Sequence, residues 1–264
     1  MRFEDYKSIS FSRRGKVLTA TLNVPDQLNA IAGALHTELA HLFPDVAADP
    51  DTDVLILTGA GRAFSAGGDL SHIEAMRNDP HGFSEAVREA KRIVFGAIDC
   101  DKPVIAKVNG DAIGLGATVA LFCDIIFAAD TARLGDPHVK IGLVAGDGGA
   151  IIWPQMIGYA RAKHYLLTGD LVPAPEAAAM GLINFSLPAE ELDAAVDAYA
   201  DRLAAGATKA IRWSKVTMNI GLKQLAHQMM DVGMAYEAMA SITADHGEAI
   251  AAMRERRKPD YTGR

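Results

Sequence analysis

The sequence predicts an α/β fold with a helical region at its C-terminal end. Short apolar segments typical of buried strands alternate with glycine turns and helical patterns, up to about residue 190. Beyond that point, long helical patterns follow one another without intervening strands. We therefore expect a core over residues 1–195 and a separate helical region over residues 196–264.

The N-terminal elements follow from two different periodicities. Residues 6–23 alternate between apolar and polar side chains, which predicts a hairpin that turns near Arg14-Gly15. Residues 29–49 carry apolar side chains at helical spacing, and this pattern stops at Asp49-Pro50. The segment DVLILTG that follows is a short continuous apolar run, which indicates a strand buried on both faces.

The same order of elements then repeats along the chain. A helical pattern, a strand, a glycine loop, a helix and a further strand are expected over residues 83–100, 102–110, 110–115, 116–124 and 125–130. In the C-terminal region, helical patterns cover residues 191–219 and 222–242. This order is typical of an α/β core in which glycine loops follow strands and open helices.

Composition and charge restrict the class of partner. The formal net charge of −7 argues against a nucleic-acid surface, which needs clustered cationic side chains. The two cysteines, Cys100 and Cys123, have no CxxC spacing, so neither a disulfide framework nor a structural zinc site is supported. Apolar runs long enough for a bilayer are missing. We expect a cytoplasmic protein, with no membrane or nucleic-acid partner, that acts on small molecules.

Two loops are unusually poor in side chains. They read GAGRAFSAGGD and VNGDAIGLGATVAL, and neither contains the Gly-Lys-Ser/Thr of a phosphate-binding P-loop. Such a loop between a strand and a helix either permits a tight turn or brings backbone N–H groups against a ligand. Two of them in successive units can aim two N–H donors at one point, which is what an oxyanion hole requires.

The motifs AFSAGGDL, PVIAKVNGDAIGLGATVALFCDIIFAAD, GLVAGDGGA and AAAMGLIN resemble, in order and spacing, the enoyl-CoA hydratase/isomerase (crotonase) superfamily. The C-terminal tail RRKPDYTGR is also similar to that of the family. The resemblance implies a spiral of ββα units and a C-terminal helical region that forms trimers, commonly as a dimer of trimers. It also implies an acyl-CoA thioester ligand, in which coenzyme A is part of the substrate.

The resemblance assigns roles to residues of both loops. The amides of Gly68 and Leu115 are expected to polarise the thioester carbonyl and stabilise the enolate formed from it. The Ala66 carbonyl is expected to accept from the adenine amino group of coenzyme A. Asp69 either fixes the loop or caps the next helix. The segment LNVPDQLNA lacks the basic residue that in the family often contacts the phosphates of coenzyme A, so cations elsewhere in the sequence are candidates: Arg62, Arg256, Arg257 and Lys258. The last three could act within this chain or from a neighbouring subunit.

The acid/base positions depart from the family pattern. Hydratases of the family use two glutamates, and this chain has Thr118 and His138 at the matching positions. A threonine hydroxyl cannot act as a general base at neutral pH, so Thr118 either binds a water, lines the pocket or packs within its helix. His138 can exchange a proton near neutrality, and Asp147 follows it by nine residues. We expect His138, oriented by Asp147, to activate water, with Asp136 or Asp147 as alternative acid/base groups.

The resemblance predicts an enzyme of the enoyl-CoA hydratase/isomerase type, a lyase or isomerase of fatty-acid metabolism. Two alternatives are also compatible with the sequence. The spacing of His138 and Asp147 is also similar to that of superfamily members that hydrolyse carbon–carbon bonds of β-diketones, and loss of the glutamates is compatible with a non-catalytic acyl-CoA-binding or RNA-binding protein. No metal or redox cofactor is expected, because the histidines are not clustered at ligand spacing.

Overall fold

The strands form two sheets in the computed structural model, which describes residues 1–77 and 79–264. The strands are β1 (Ile9–Arg14), β2 (Val17–Leu22), β3 (Val54–Gly59), β4 (Ala63–Ser65), β5 (Val104–Val108), β6 (Asp111–Ile113), β7 (Ile125–Ala129), β8 (Arg133–Gly135), β9 (Val172–Pro173) and β10 (Phe185–Leu187). The expected hairpin is confirmed, because β1 ends at Arg14 and pairs antiparallel with β2.

The chain alternates between the two sheets. The larger sheet has the order β1-β2-β3-β5-β7-β10 and the smaller sheet β4-β6-β8-β9. Strands β3, β5 and β7 lie parallel in the larger sheet, and each is followed by a short strand, β4, β6 or β8, in the smaller one. Each unit therefore contributes one strand to each sheet before its helix, which confirms the expected spiral of ββα units.

The helices cover the sheets and form the C-terminal region. They are α1 (Gly33–Ala48), α2 (Leu70–Arg77), α3 (Pro80–Asp99), α4 (Leu115–Leu121), α5 (Gly149–Thr168), α6 (Ala174–Ala179), α7 (Ala189–Ala204), α8 (Thr208–Ser241) and α9 (Ala244–Glu255). Three short 3-10 helices cover Phe3–Asp5, Pro25–Gln27 and Pro137–Ile141. No helix of residues 1–77 or 79–264 is long and apolar enough to cross a membrane.

The core lies between the larger sheet and the helices packed on it. All six residues of β3 are buried, as the continuous apolar run predicts, because the strand is covered on both faces. Helices α1 and α3 pack against each other, and α7 packs against β3, β5 and β7. The expected boundary at residue 195 lies within α7, and the helices that leave the main sheet begin with α8.

Three short strands are not evident from sequence pattern. Strands β4, β6 and β8 have three residues each, which is too short for an alternating pattern to be recognised. Two of them lie inside the segments interpreted as glycine loops, so the loops proper are shorter than expected. The helical pattern of residues 191–219 is likewise interrupted at Ala205–Ala207, between α7 and α8.

Candidate active site

The two glycine loops contact each other where β4 and β6 end. Gly67 has φ of +82° and Gly114 has φ of +55°, a region that glycine adopts without steric cost. A Cβ atom on Gly67 would lie 2.6 Å from the carbonyl oxygen of Ile113, which is too close for any side chain. The absence of side chains at this contact is therefore a packing requirement as well as a conformational one.

The backbone amides at this contact point are available to a ligand. The amides of Gly68 and Leu115 have no backbone acceptor among the residues that the structure describes. Leu115 is the first residue of α4, and the first amides of a helix have no acceptor within it. Both residues line a cavity of about 550 Å³. The structure thus brings together the two amides that the sequence comparison singled out.

The rest of the cavity is mostly apolar. Residues of α2, α3, α8, α9 and the loops contribute apolar side chains to its wall: Ile31, Leu70, Ile73, Met76, Phe83, Ile113, Leu143, Met234 and Met253. Polar side chains on the wall include His36, His138, Asp147 and Glu237. An apolar cavity with a few convergent polar groups is typical of a small-molecule site.

His138 lies between two carboxylates at the edge of the loop contact. It sits on the 3-10 helix that follows β8, with a largely buried side chain, and its Nδ1 is hydrogen-bonded to Oδ1 of Asp136. Its Nε2 lies 3.6 Å from Oδ2 of Asp147. A Cβ atom on Gly114 would lie 3.7 Å from Cε1 of His138, so the imidazole borders the second glycine loop.

The charges of this cluster shift its protonation equilibria. Burial lowers the pKa of His138, but the negative charges of Asp136 and Asp147 more than offset it, so the pKa lies well above its ordinary value. Burial raises the pKa of Asp147 to about 6, although the nearby His138 opposes the shift. At neutral pH the imidazole is therefore a proton donor and Asp147 is largely an ionised acceptor.

Two further polar groups on the wall escaped the sequence analysis. His36 of α1 is hydrogen-bonded through Nδ1 to Oε2 of Glu89 at 2.6 Å. Glu237 of α8 has a buried Oε2 atom without a hydrogen-bond partner in the described part of the chain. Neither residue belongs to a recognisable motif. Each reaches the cavity only because α1 and α8 pack beside it.

Two predicted site residues, Thr118 and Asp69, take part in helix packing or helix capping. Thr118 is fully buried in α4, and it is not among the described residues that line the cavity. Its Oγ1 has no hydrogen-bond partner within the described residues. Oδ1 of Asp69 accepts from the amide of His72 at 2.9 Å, so this carboxylate caps the start of α2. Of the two roles considered for Asp69, helix capping is the one that has a contact in the structure.

The residues expected to bind coenzyme A are divided between two places. Ala66 lines the cavity, and Arg62 is exposed on the turn just before β4. Arg256, Arg257 and Lys258 follow α9 and are exposed. The guanidinium of Arg257 is paired with Glu248 and Glu255, which holds its pKa above the ordinary value. Within one chain, the guanidinium of Arg257 is therefore already engaged by carboxylates of its own helix region.

The cluster around His138 also has the composition of a cation site. Ligand atoms of Asp136, His138 and Asp147 all lie within 4.8 Å of one another. However, Asp136 already occupies Nδ1 of the imidazole, and the raised pKa of His138 favours a proton over a metal ion on this ring. Proton transfer is the chemistry that this arrangement supports directly.

Comparison with known proteins identifies the family of this chain. The family model described as enoyl-CoA hydratase/isomerase matches residues 12–264. The "Probable enoyl-CoA hydratase echA8" of Mycobacterium tuberculosis is 32% identical over 264 residues, covering 98% of this chain and 99% of the relative. The 1,2-epoxyphenylacetyl-CoA isomerase of Escherichia coli is 33% identical over 250 residues, covering 94% and 95%.

A solved structure supports the same conclusion for the fold. The crystal structure of an enoyl-CoA hydratase/isomerase from Mycobacterium paratuberculosis superposes with a TM-score of 0.89 at 35% identity, covering 92% of this chain and 97% of that one. On the evidence of its sequence, its fold and its relatives, this chain belongs to the enoyl-CoA hydratase/isomerase family.

Proposed function

We propose that this chain is an acyl-CoA enzyme that forms a thioester enolate, with the amides of Gly68 and Leu115 as the oxyanion hole. The support is the convergence of two amides that lack backbone acceptors on one cavity wall. Preorganised amides of this kind stabilise the negative charge that develops on the thioester oxygen. Relatives named as hydratases and as an isomerase of CoA esters act on the same class of compound.

The observation that carries the proposal is the position of His138 between Asp136 and Asp147 beside the glycine loops. In hydration, Asp147 takes a proton from water while the water oxygen bonds to C3 of an enoyl-CoA. The electron pair of the double bond moves to the thioester oxygen. Protonated His138 then delivers its proton to C2, and Asp147 returns the first proton to His138 across the 3.6 Å that separates them. The sum of these steps is the addition of one water molecule.

Carbon–carbon hydrolysis is a second candidate function. It is favoured by the specific pairing of an imidazole with Asp147 in place of two glutamates. Here water, deprotonated by Asp147, bonds to the carbonyl carbon C3 of a β-diketone, and the C2–C3 bond breaks. The electron pair of that bond forms the enolate, and protonated His138 supplies the proton to C2. Asp147 then returns its proton to His138, and the carboxylic acid released from C3 loses its O–H proton to solvent, so the products are a carboxylate, a proton and a shorter acyl-CoA.

The proposal also covers binding of coenzyme A and assembly. The Ala66 carbonyl would accept a hydrogen bond from the adenine amino group of coenzyme A, and Arg62 of the same chain would contact its phosphates. Arg257 or Lys258 would also contact the phosphates, either from a neighbouring subunit or, for Arg257, after its guanidinium leaves Glu248. A homotrimer, or a dimer of trimers, is supported by exposed apolar side chains along the last two helices: Trp213, Met218, Val232, Tyr236, Met239 and Met253. Light scattering of the purified protein tests the assembly.

Turnover in 18O-labelled water distinguishes the candidate reactions. The purified protein is incubated with α,β-unsaturated acyl-CoAs and with β-diketone acyl-CoAs, and the products are resolved by mass. Label in a new hydroxyl group is expected for hydration, whereas label in a new carboxylate together with a shortened acyl-CoA indicates carbon–carbon hydrolysis. Tight binding of acyl-CoA without any product would instead indicate a non-catalytic binding protein, and a salt-dependent gel shift with RNA would redirect the assignment to nucleic acid.

A further inference from the structure

Glu237 is a carboxyl group placed on an apolar wall. It lies on α8, and the same cavity is lined by the apolar side chains of Met234, Leu143 and Met253. Its Oε2 atom is buried and has no hydrogen-bond partner within residues 1–77 and 79–264. A buried polar atom without a partner costs free energy, so a carboxyl that keeps one beside a ligand cavity needs an explanation.

The loop that carries Asp147 holds Glu237 beside the acid/base pair. Gly146 packs against the backbone of α8 at Gly233, and a Cβ atom on Gly146 would lie 2.8 Å from Oε2 of Glu237. Any side chain at position 146 would displace the carboxyl or the loop. The close approach therefore fixes Glu237 next to Asp147, on the side of the cavity where the acyl group is transformed.

The environment of Glu237 keeps it protonated. Burial raises the pKa of its carboxyl to about 8, the charges of Asp147 and Asp136 add to the shift, and His138 and the backbone amide of Gly146 oppose it. A protonated carboxyl offers one O–H donor, whereas a carboxylate can only accept. At neutral pH the apolar wall thus presents a hydrogen-bond donor that no described residue satisfies.

We propose that Glu237 donates a hydrogen bond to an oxygen of the acyl group, so that the substrates of this site are acyl-CoAs with a carbonyl or hydroxyl oxygen beyond the thioester. The inference rests on the proposed function, because it assumes an acyl-CoA in this cavity. A hydrocarbon chain against Glu237 leaves the donor unpaired, whereas an oxygenated chain of the same length satisfies it. Sites built to hydrogen-bond a substrate reject analogues that lack the partner.

Matched ligands provide the test. The dissociation constants of hexanoyl-CoA and of its 3-oxo, 4-oxo and 5-oxo derivatives are measured by isothermal titration on the purified protein in its native assembly. Product analysis after each titration restricts the comparison to unreacted ligands. An unsatisfied buried donor costs about 1 to 3 kcal/mol, so at least one oxo derivative is expected to bind about 5- to 160-fold tighter than hexanoyl-CoA.

Two substitutions assign that preference to Glu237. Glu237→Leu removes the donor and is expected to reduce the preference to less than about 3-fold, whereas Glu237→Gln retains N–H donors and is expected to keep most of it. Glu190→Gln, on the exposed first turn of α7, is the matched control and should change nothing.

The possible results separate this inference from the proposed function. Equal affinity for hexanoyl-CoA and all three oxo derivatives would overturn the inference, and so would a preference that survives in Glu237→Leu. In both cases acyl-CoA still binds, so the proposed function stands. If none of the acyl-CoAs binds more tightly than coenzyme A itself, the proposed function fails first.

Discussion

Replacing Asp136 by Asn should lower the pKa of His138 and shift the pH range of activity. The substitution keeps the size of the side chain but removes the negative charge bound to Nδ1. A hydrogen bond to a charged group contributes about 1.5 to 3 kcal/mol, and one pKa unit corresponds to about 1.36 kcal/mol. The pKa of His138 should therefore fall by about 1 to 2 units.

The pH profile of kcat/KM measures this shift directly. In the wild type, activity should rise with pH as Asp147 ionises, at about pH 6, and should fall at higher pH when His138 loses its raised-pKa proton. In Asp136→Asn, the alkaline limb should move down by about 1 to 2 units, and an NMR titration of the His138 ring should follow it.

A control substitution removes an equivalent charge elsewhere on the chain. Asp130→Asn, at an exposed position after β7, removes the same charge far from the imidazole and should leave both limbs in place. If Asp136→Asn leaves the alkaline limb within experimental error of the wild type, His138 is not the proton donor in this reaction.

Three further outcomes follow from the structure. Gly67→Ala should lower kcat/KM about 100-fold with an unchanged circular dichroism spectrum, because a Cβ would lie 2.6 Å from the carbonyl oxygen of Ile113 and displace the loop that carries the Gly68 amide. Retention of full activity would contradict the proposed role of this loop in stabilising the enolate. The free energy of unfolding in urea should fall as pH rises from about 4 to 8, because the folded pKa values of Asp147 and Glu237, about 6 and about 8, exceed their ordinary values of 3.8 and 4.5. Glu237→Gln should flatten this slope above about pH 4.5. An unchanged slope would show that Glu237 is ionised in the folded protein. Lys215→Met should lower the free energy of unfolding by about 3 kcal/mol, because it leaves the carboxylate of Asp124 without its ion-pair partner. Adding Asp124→Leu should recover much of this loss. If the two losses add instead, the ion pair is not the cause.

Much of the fold could be predicted because its elements have local signals. The six residues of β3 form a continuous apolar run, and the hairpin at Arg14-Gly15 follows a clear alternation. Strands of three residues such as β4 carry no such period, so the second sheet was not predicted. For the site, the two glycine loops could be recognised because closely packed backbone needs glycine, and the family resemblance then singled out Gly68 and Leu115 as candidates.

The sequence by itself determined the family and the order of strand, glycine loop and helix, and it singled out His138 as the candidate at a position where family hydratases have a glutamate. Only the tertiary structure decided which carboxylates surround that imidazole. Asp136 is two residues away in sequence, and Glu237 is about a hundred residues away, yet both act on the same cluster. Local patterns arise from burial periodicity within one element, whereas the electrostatics of a site depends on distances between elements, which only packing determines.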